Sequence, residues 1–156
     1  MRSARYATDW GTGWVCWDGT GITSSWVPGS PAPSPEGGQT PPRVSALCRA
    51  LEAYFAGRGG LPDGHAFAEA TGSTPFTRRV YDVVCSIPPG STMTYGAVAA
   101  AAGRPGAARA VGAAMAANPF APMVPCHRVV GSDGSLRGYG GGLELKRWML
   151  AMEAAR

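Results

Sequence analysis

The chain has 156 residues, of which 45% are hydrophobic and 15% are charged, with 23 glycines and 14 prolines. That apolar fraction excludes a wholly disordered chain, and the length allows one domain or two small subdomains. No apolar run is long enough to span a bilayer, and no apolar stretch of a secretory signal follows the first residues. We therefore expect a cytoplasmic protein that does not bind membranes.

The net charge of +4 is unevenly distributed along the chain. Residues 1–73 carry 5 arginines against 6 acidic residues, whereas residues 74–156 carry 9 basic residues against 4 acidic ones. A basic half indicates a polyanionic partner, with nucleic acid as the first candidate. The alternative is that a small excess of arginine only improves solubility, and charge alone does not decide between the two.

The four cysteines, Cys16, Cys48, Cys85 and Cys126, are scattered and form no Cys-x-x-Cys pair. Without a signal peptide, this pattern is typical of reduced thiols in a cytoplasmic protein. His65 has no cysteine or histidine beside it at ligand spacing, so we expect no metal site.

The first half is predicted to be a small α/β domain, residues 1–73. Residues 1–27 are typical of a β-hairpin whose tryptophans lie in the core or on a face of the sheet rather than on a base-stacking surface. Residues 28–42 contain six prolines and are predicted to be a surface loop. Residues 43–57 have the spacing of an amphipathic helix, and residues 58–73 are glycine-rich and predicted to be irregular.

The second half, residues 74–156, begins with three predicted helices. Thr74 followed by Pro75 is a typical helix start, and Thr94 is placed to cap a second, alanine-rich helix. A glycine-containing break precedes a third helix over residues 107–117. A helix, a short turn and a second helix form the helix-turn-helix arrangement of many DNA-binding proteins.

The third helix carries small side chains around one arginine, Arg109. A helix that reads bases in the major groove normally carries several long polar side chains. If this helix binds DNA, we expect little sequence preference, with contacts to phosphates and to groove shape. The alternative is that its smooth surface serves helix packing within the protein.

A cysteine and a histidine stand together in the stretch Val124-Pro125-Cys126-His127-Arg128-Val129-Val130. The proline restricts the backbone before the thiol, and the valines after it favour an extended strand. A thiol on stiff backbone suits a nucleophile that must be aimed at its target. A free cysteine is also commonly a small buried apolar residue, and this segment alone leaves both interpretations open.

The end of the chain is predicted to be a helix over residues 143–155, preceded by the glycine-rich residues 138–142. Glu153 lies near the end of this helix, where a carboxylate interacts unfavourably with the helix dipole. This suggests another task, such as orienting a histidine, although a solvated helix end is the commoner explanation.

The combination resembles the O6-alkylguanine-DNA alkyltransferases, continuously from about Thr74 to Glu153 and only loosely before that. The motifs that carry the resemblance are Pro125-Cys126-His127-Arg128-Val129, Ala108-Arg109-Ala110-Val111-Gly112, Asn118-Pro119, Tyr139 and Gly141-Gly142-Leu143. The resemblance implies an α/β (α+β) fold. A small N-terminal domain with an antiparallel sheet is expected, followed by a mostly helical, winged-helix-like C-terminal domain that contains the helix-turn-helix.

The resemblance also implies direct-reversal DNA repair as a single-turnover methyltransferase. Cys126 is expected to accept the alkyl group of O6-alkylguanine, and also of O4-alkylthymine, irreversibly and without a cofactor or metal. His127 would act as its base through a water molecule, and Glu153 would orient His127. Asn118 would brace the active-site turn, and Tyr139 would help to protonate the departing guanine.

The implied partner is double-stranded DNA, bound through its minor groove by a monomer with little sequence specificity. The damaged base must leave the stack before its O6 atom can be reached. The residues implied for the base pocket are Met115, Val129, Gly140 and Gly141, and those implied for DNA contact are Tyr95, Arg109, Ala110, Gly112 and Arg128. Arg109 would fill the gap left by the flipped base. Gly140 replaces a side chain that some relatives carry, so we expect an altered substrate range.

Three other functions fit parts of the sequence. A sensor that binds alkylated bases without reacting is the nearest, and the presence of Cys126 argues against it. A helix-turn-helix regulator is disfavoured by the bare third helix. A Cys-His hydrolase would need an oxyanion hole and a peptide groove, and no sequence feature points to either.

Overall fold

The computed structural model describes residues 1–33, 35, 37–71 and 74–156. The chain divides into two units, Met1–Pro62 and Asp63–Arg156. Among the described residues, none of the helices combines the length and the apolar character needed to cross a bilayer.

The first unit contains a three-stranded antiparallel sheet of β1 (Arg2–Thr8), β2 (Gly11–Asp18) and β3 (Gly21–Trp26), in that order. The predicted hairpin corresponds to β2 and β3. Trp14 and Trp17 on β2 are buried, as expected for core residues, whereas Trp26 at the end of β3 is 40% exposed. β1 was not predicted, because Tyr6 is its only large apolar side chain and the alternation typical of a strand is weak.

Helix α1 (Pro42–Phe55) follows the proline-rich stretch and confirms the predicted amphipathic helix. It packs on β1 and β2. Its buried face consists of Val44, Leu47, Cys48, Leu51, Tyr54 and Phe55. The described residues between β3 and α1 form no helix or strand, and positions 34 and 36 of the predicted loop lie outside the described residues.

The second unit begins with α2 (His65–Thr71), so the expectation of an irregular segment over residues 58–73 was wrong for this part. The backbone N–H of His65 donates to Oδ1 of Asp63 at 3.1 Å, which satisfies one of the free donors at the helix start. α2 packs on α3 and buries Ala68. The unit therefore starts at Asp63, before the predicted boundary at residue 74; positions 72 and 73 lie outside the described residues.

The three predicted helices are α3 (Pro75–Cys85), α4 (Tyr95–Ala101) and α5 (Ala108–Ala116). The hydroxyl of Thr74 accepts from the N–H of Thr77 at 3.1 Å, and that of Thr94 accepts from Ala97 at 3.0 Å, so both predicted caps are confirmed. α4 packs on α5, and the hydroxyl of Tyr81 on α3 donates to the carbonyl of Ala114 on α5 at 2.9 Å.

Two short parallel strands, β4 (Met93–Thr94) and β5 (Val129–Val130), lie beside these helices. β5 is buried and confirms the predicted extended valines. A single 3₁₀ turn, Cys126–Arg128, leads into β5, and the chain continues to the final helix α6 (Leu143–Ala154). The thiol of Cys126 thus lies on a tight turn immediately before a buried strand.

Candidate active site

Backbone hydrogen bonds hold the Cys126 turn rigidly. The N–H of Cys126 donates to the carbonyl of Val124 at 2.8 Å, and the N–H of Arg128 donates to the carbonyl of Pro125 at 2.9 Å. Only 8% of Cys126 is exposed. The sulfur is therefore shielded from solvent and lies on a hydrogen-bonded turn.

Asn118 braces the segment that leads to this turn, as the sequence analysis expected. Its Nδ2 donates to the carbonyl of Val124 at 2.8 Å, and its Oδ1 accepts from the N–H of Phe120 at 3.0 Å. Val124 accepts one bond from the asparagine and one from the backbone of Cys126. The position of the thiol therefore depends on one side-chain amide at the end of α5.

A buried cluster of three charged or titratable groups lies next to the cysteine. Nε2 of His127 is 3.1 Å from each carboxylate oxygen of Glu153. Nε of Arg128 donates to Oε1 of Glu153 at 2.9 Å, and its Nη2 donates to Oε2 at 2.7 Å. All three side chains are buried. This accounts for the placement of Glu153 near the end of α6, because the carboxylate is shared by two partners rather than exposed to solvent.

His127 is held as a neutral base. Burial lowers its pKa, and the hydrogen bond from its ring to Glu153 opposes that shift. Because Nε2 carries the proton that Glu153 accepts, Nδ1 is left with its lone pair, and no described residue bonds to it. The ring of Tyr139 stands edge-on to the imidazole, with the centroids 6.4 Å apart. The histidine can therefore take up a proton at Nδ1.

Arg128, which the resemblance placed among the DNA-contacting residues, has its side chain buried in this cluster. Its side chain is 5% exposed, and its guanidinium makes the two bonds to Glu153 and a third, from Nη1, to the carbonyl of Ile87 at 2.8 Å. The sequence shows a basic residue two positions after the cysteine but does not show which way its side chain points. In the structure it neutralises the carboxylate that holds His127.

Lys146 on α6 is a site residue that the sequence analysis missed. Its side chain is 1% exposed, and Nζ donates to the carbonyl of Val129 at 2.9 Å and approaches that of Arg137 at 3.5 Å. Burial lowers the pKa of Lys146, while the nearby Cys126 raises it. The signal in the sequence is helical spacing: Lys146 lies three residues before Met149 and seven before Glu153, on the same face of α6. Met149 and Glu153 are also buried.

Burial also raises the pKa of the Cys126 thiol. The side-chain amide of Asn118 and the ammonium of Lys146 both act in the opposite direction, because each stabilises the thiolate. A thiol in this position needs a base to ionise it at neutral pH. His127 follows Cys126 in the sequence, and its Nδ1 has no hydrogen-bond partner among the described residues, so it is the candidate base.

The residues expected in the base pocket lie on three different elements. Met115 is buried on α5, and the carbonyl of Val129 on β5 already accepts from Lys146. Gly140 and Gly141 lie in the irregular segment before α6, where Gly140 is exposed and Gly141 is half-buried. All four residues belong to the second unit.

Four of the residues expected to contact DNA lie on the helix-turn-helix. Tyr95 is the first residue of α4 and is half-buried; burial first, and then Cys126, raises its pKa. Arg109 and Ala110 are exposed on α5. Gly112 on the same helix has no atom within 4 Å of the position that a Cβ would occupy. The surface of α5 is therefore smooth and open at this point.

In the described parts of the chain, no group of three histidine, cysteine or acidic side chains is arranged to hold a metal ion. All four cysteines are free thiols.

The chain matches a known protein family in its sequence. Residues 75–155 match the family model described as 6-O-methylguanine DNA methyltransferase, DNA binding domain. A methylated-DNA–protein-cysteine methyltransferase from Salmonella typhimurium is 51% identical over 116 residues, which is 71% of this chain and 67% of that protein. One of the same name from Mycobacterium tuberculosis is 46% identical over 116 residues, covering 74% of this chain and 68% of the relative.

Solved structures agree with these matches. The crystal structure of Mycobacterium tuberculosis OGT in complex with DNA matches with a TM-score of 0.79 and 34% identity, over 99% of this chain and 94% of that one. The O6-methylguanine-DNA methyltransferase of Pyrococcus kodakaraensis matches with a TM-score of 0.68 and 25% identity, over 97% and 98% of the two chains. The chain is therefore a mixed α/β protein with a DNA-binding helix-turn-helix. It belongs to the 6-O-methylguanine DNA methyltransferase family.

Proposed function

We propose that this protein repairs O6-alkylguanine in DNA by transferring the alkyl group to Sγ of Cys126, once per protein molecule. The observation that carries the proposal is the buried Glu153–His127 pair beside a cysteine on a rigid turn. This is the arrangement of nucleophile, base and orienting carboxylate, with a thiol as the nucleophile. The family membership and the names of the relatives support the same activity.

The reaction begins with loss of the thiol proton. His127 accepts it at Nδ1 through a water molecule, while Glu153 stabilises the imidazolium that forms. Lys146 and Asn118 favour the thiolate, which offsets the effect of burial. A neutral thiol is a poor nucleophile, so these three contributions together set the rate.

The thiolate then attacks the alkyl carbon of the lesion. The new S–C bond forms as the C–O6 bond breaks, and the electron pair of that bond remains on guanine. Guanine gains one proton, for which Tyr139 is the proposed donor. The imidazolium of His127 then returns the proton taken from Cys126 to the phenolate of Tyr139, whose ring lies beside it, so that both residues end neutral. The thioether is stable, and each molecule therefore reacts once. No cofactor or metal takes part in this scheme.

The base must leave the DNA stack to reach Cys126. Flipping costs a few kcal/mol, and less for a badly paired lesion. Arg109 on α5 is exposed and long enough to occupy the gap. Met115, Val129, Gly140 and Gly141 form the proposed base pocket, and Gly140 presents no side chain that could exclude a larger alkyl group or O4-alkylthymine.

DNA is the proposed partner, bound by Tyr95, Arg109, Ala110 and Gly112. The small exposed residues of α5 allow its backbone to approach a groove closely, which favours the minor groove and little sequence preference. All proposed catalytic residues come from one chain, which favours a monomer. The relative from M. tuberculosis was solved in complex with DNA, which supports the same partner here. A cytoplasmic location is part of the proposal.

The test is a repair assay on a duplex that contains one O6-methylguanine. After incubation, the DNA is digested and the modified and normal guanine are quantified by chromatography. The expected result is conversion of one lesion per protein molecule, followed by a plateau. Cys126→Ser should convert none, and Cys85→Ser, which changes a free thiol outside the cluster, should behave as the unaltered protein.

Two outcomes would overturn the proposal. Selective binding of the damaged duplex without conversion would identify a damage sensor. Repeated conversion beyond one lesion per molecule would show that the cysteine is regenerated, which the stable thioether excludes.

A further inference from the structure

Two arginines share one aromatic ring at the start of the turn between α4 and α5. Cζ of Arg104 lies 4.3 Å from the ring centroid of Phe76, and Cζ of Arg79 lies 5.9 Å from it. Phe76 is a buried residue of α3. Nε of Arg79 also donates to the carbonyl of Ala102, the C-cap of α4, at 2.8 Å. Both guanidinium groups are therefore held in place by contacts to core residues.

Neither cation has a counter-charge among the described residues. In the portion of the chain that the structure describes, no acidic side chain pairs with Arg79 or Arg104. Both side chains are exposed. Residues 74–118 contain four arginines and a single acidic residue, Asp82. Two like charges held close together repel each other, so an anion from outside the chain would relieve an unfavourable interaction.

The geometry suits a phosphate. A guanidinium stacked on a ring uses its face for that contact, and its N–H groups point outward in its own plane. These edge donors match the paired oxygens of a phosphodiester. Arg79 uses Nε for the carbonyl of Ala102 and keeps its two Nη groups. Arg104 bonds through its backbone, and among the described residues its guanidinium donates no hydrogen bond.

The position of the pair connects it with DNA. The turn that follows Ala102 leads directly into α5, which carries the exposed Arg109. We propose that Arg79 and Arg104, which lie over the ring of Phe76, form a clamp for the DNA phosphate backbone at the start of the turn before α5. The clamp positions α5 on the duplex without reading its sequence. This inference rests on the proposed function, because it assumes that DNA is the partner.

The test is the salt dependence of binding to an undamaged duplex, measured by fluorescence anisotropy. The logarithm of the binding constant falls linearly with the logarithm of salt concentration, by about 0.9 for each phosphate neutralised. Arg79→Gln/Arg104→Gln is expected to make this slope about 1 to 2 units less steep and to weaken binding most at low salt. Arg49→Gln/Arg58→Gln removes the same charge from exposed positions of the first unit and should leave the slope unchanged.

A second variant separates charge from folding. Arg79→Lys/Arg104→Lys retains both charges without the planar group, so it should keep the slope of the unaltered protein while binding more weakly. Thermal unfolding of each variant shows whether the turn has been damaged. Two results would overturn the clamp. The first is an unchanged salt slope in Arg79→Gln/Arg104→Gln. The second is a slope in Arg79→Lys/Arg104→Lys that is reduced as much as in the glutamine variant.

The proposed function is tested separately by alkyl transfer to the unaltered protein from O6-benzylguanine as a free base. This reaction needs no DNA. If the unaltered protein accepts the alkyl group from the free base and Arg79→Gln/Arg104→Gln keeps its salt slope, the clamp is overturned and the proposed repair function is still supported.

Discussion

The carboxylate of Glu153 has two buried partners, and each imposes a different requirement on it. Arg128 needs its negative charge, and His127 needs a hydrogen-bond acceptor that fixes the ring. A buried ion pair contributes little net stability when intact, but removal of one partner leaves an uncompensated charge. The cluster therefore makes local stability and the orientation of the base depend on the same residue.

Glu153→Gln should lower the free energy of unfolding by about 3–5 kcal/mol, because Arg128 keeps its buried charge and loses the counter-charge. Urea denaturation measures this difference. Glu144→Gln on the same helix is the control, since Glu144 is exposed in the first turn of α6 and its loss should cost less than about 1 kcal/mol. Equal effects of the two substitutions would contradict the role given to the cluster.

Lys146 is expected to control the ionisation of Cys126. Lys146→Met keeps the length and buried volume of the side chain but removes the cation that lowers the pKa of the thiol. The pKa of Cys126 should therefore rise, and because the thiolate is the reactive form, the pH profile of alkyl transfer should move to higher pH. At neutral pH the rate should fall severalfold.

The measurement for Lys146→Met is the rate of transfer from O6-benzylguanine as a function of pH. Arg147→Gln, at the adjacent exposed position, should keep the profile of the unaltered protein. A lower rate without a shift of the profile would indicate that Lys146 only supports the carbonyl of Val129.

At the scale of single residues, the sequence predicted candidate residues of the site but not the direction in which each side chain points. The family resemblance selected Cys126 and His127 from the Pro-Cys-His-Arg motif, and Glu153 also from its position near the end of the last helix. The structure brings His127 and Glu153 into contact. The direction of the Arg128 side chain, which is buried against Glu153, could not be predicted, because adjacent residues in a 3₁₀ turn point in different directions. Lys146 was missed because a lysine on an amphipathic helix is normally expected to lie at the surface.

Among the helices, α2 shows how packing can override local sequence. A glycine-rich segment predicts irregular structure, yet Gly64 precedes a helix and lies against the backbone of Met123. A Cβ at Gly64 would overlap the carbonyl oxygen of Met123, which is backbone and cannot easily move. Here glycine is needed for close approach to the segment that leads to Cys126.

Gly64→Ala should therefore lower the free energy of unfolding by about 1–3 kcal/mol through overpacking. Gly60→Ala is the matched control, because no atom lies within 4 Å of its Cβ position, and its effect should stay within about 0.5 kcal/mol of zero or be stabilising. Chemical denaturation of both variants provides the comparison. A tolerated Gly64→Ala would show that α2 does not need this close contact.

Helix α5 is the element on which DNA approach depends. Gly112→Leu adds a side chain where the helix surface is open, so the fold should be retained and the helix slightly stabilised, by about 0.5–1 kcal/mol. The same side chain should keep α5 away from the groove and weaken duplex binding roughly tenfold, equivalent to about 1.4 kcal/mol. Titration of a labelled duplex measures the affinity.

Gly60→Leu, which also enters open space but lies in the first unit, is the control for Gly112→Leu. Unchanged duplex affinity in the α5 variant would show that this face does not approach DNA.

For the whole molecule, predictability differed between the two units. The second unit could be predicted in most elements, because helix caps at Thr74 and Thr94 and the cysteine motif are local signals. In the first unit, β1 is fixed by pairing with β2, a contact that its own residues do not encode strongly. The division at Pro62 was also missed, because it depends on the packing of α2 against α3.

The central claim is that Cys126 is the alkyl acceptor, and mass spectrometry of the protein tests it most directly. The full chain and Cys126→Ala are each incubated with a duplex carrying one O6-methylguanine, and intact and peptide masses are then measured. The account predicts one added methyl group on the peptide that contains Cys126 and none on the alanine variant. A methyl group on Cys16, Cys48 or Cys85, or an unchanged mass after the lesion has disappeared, would contradict it.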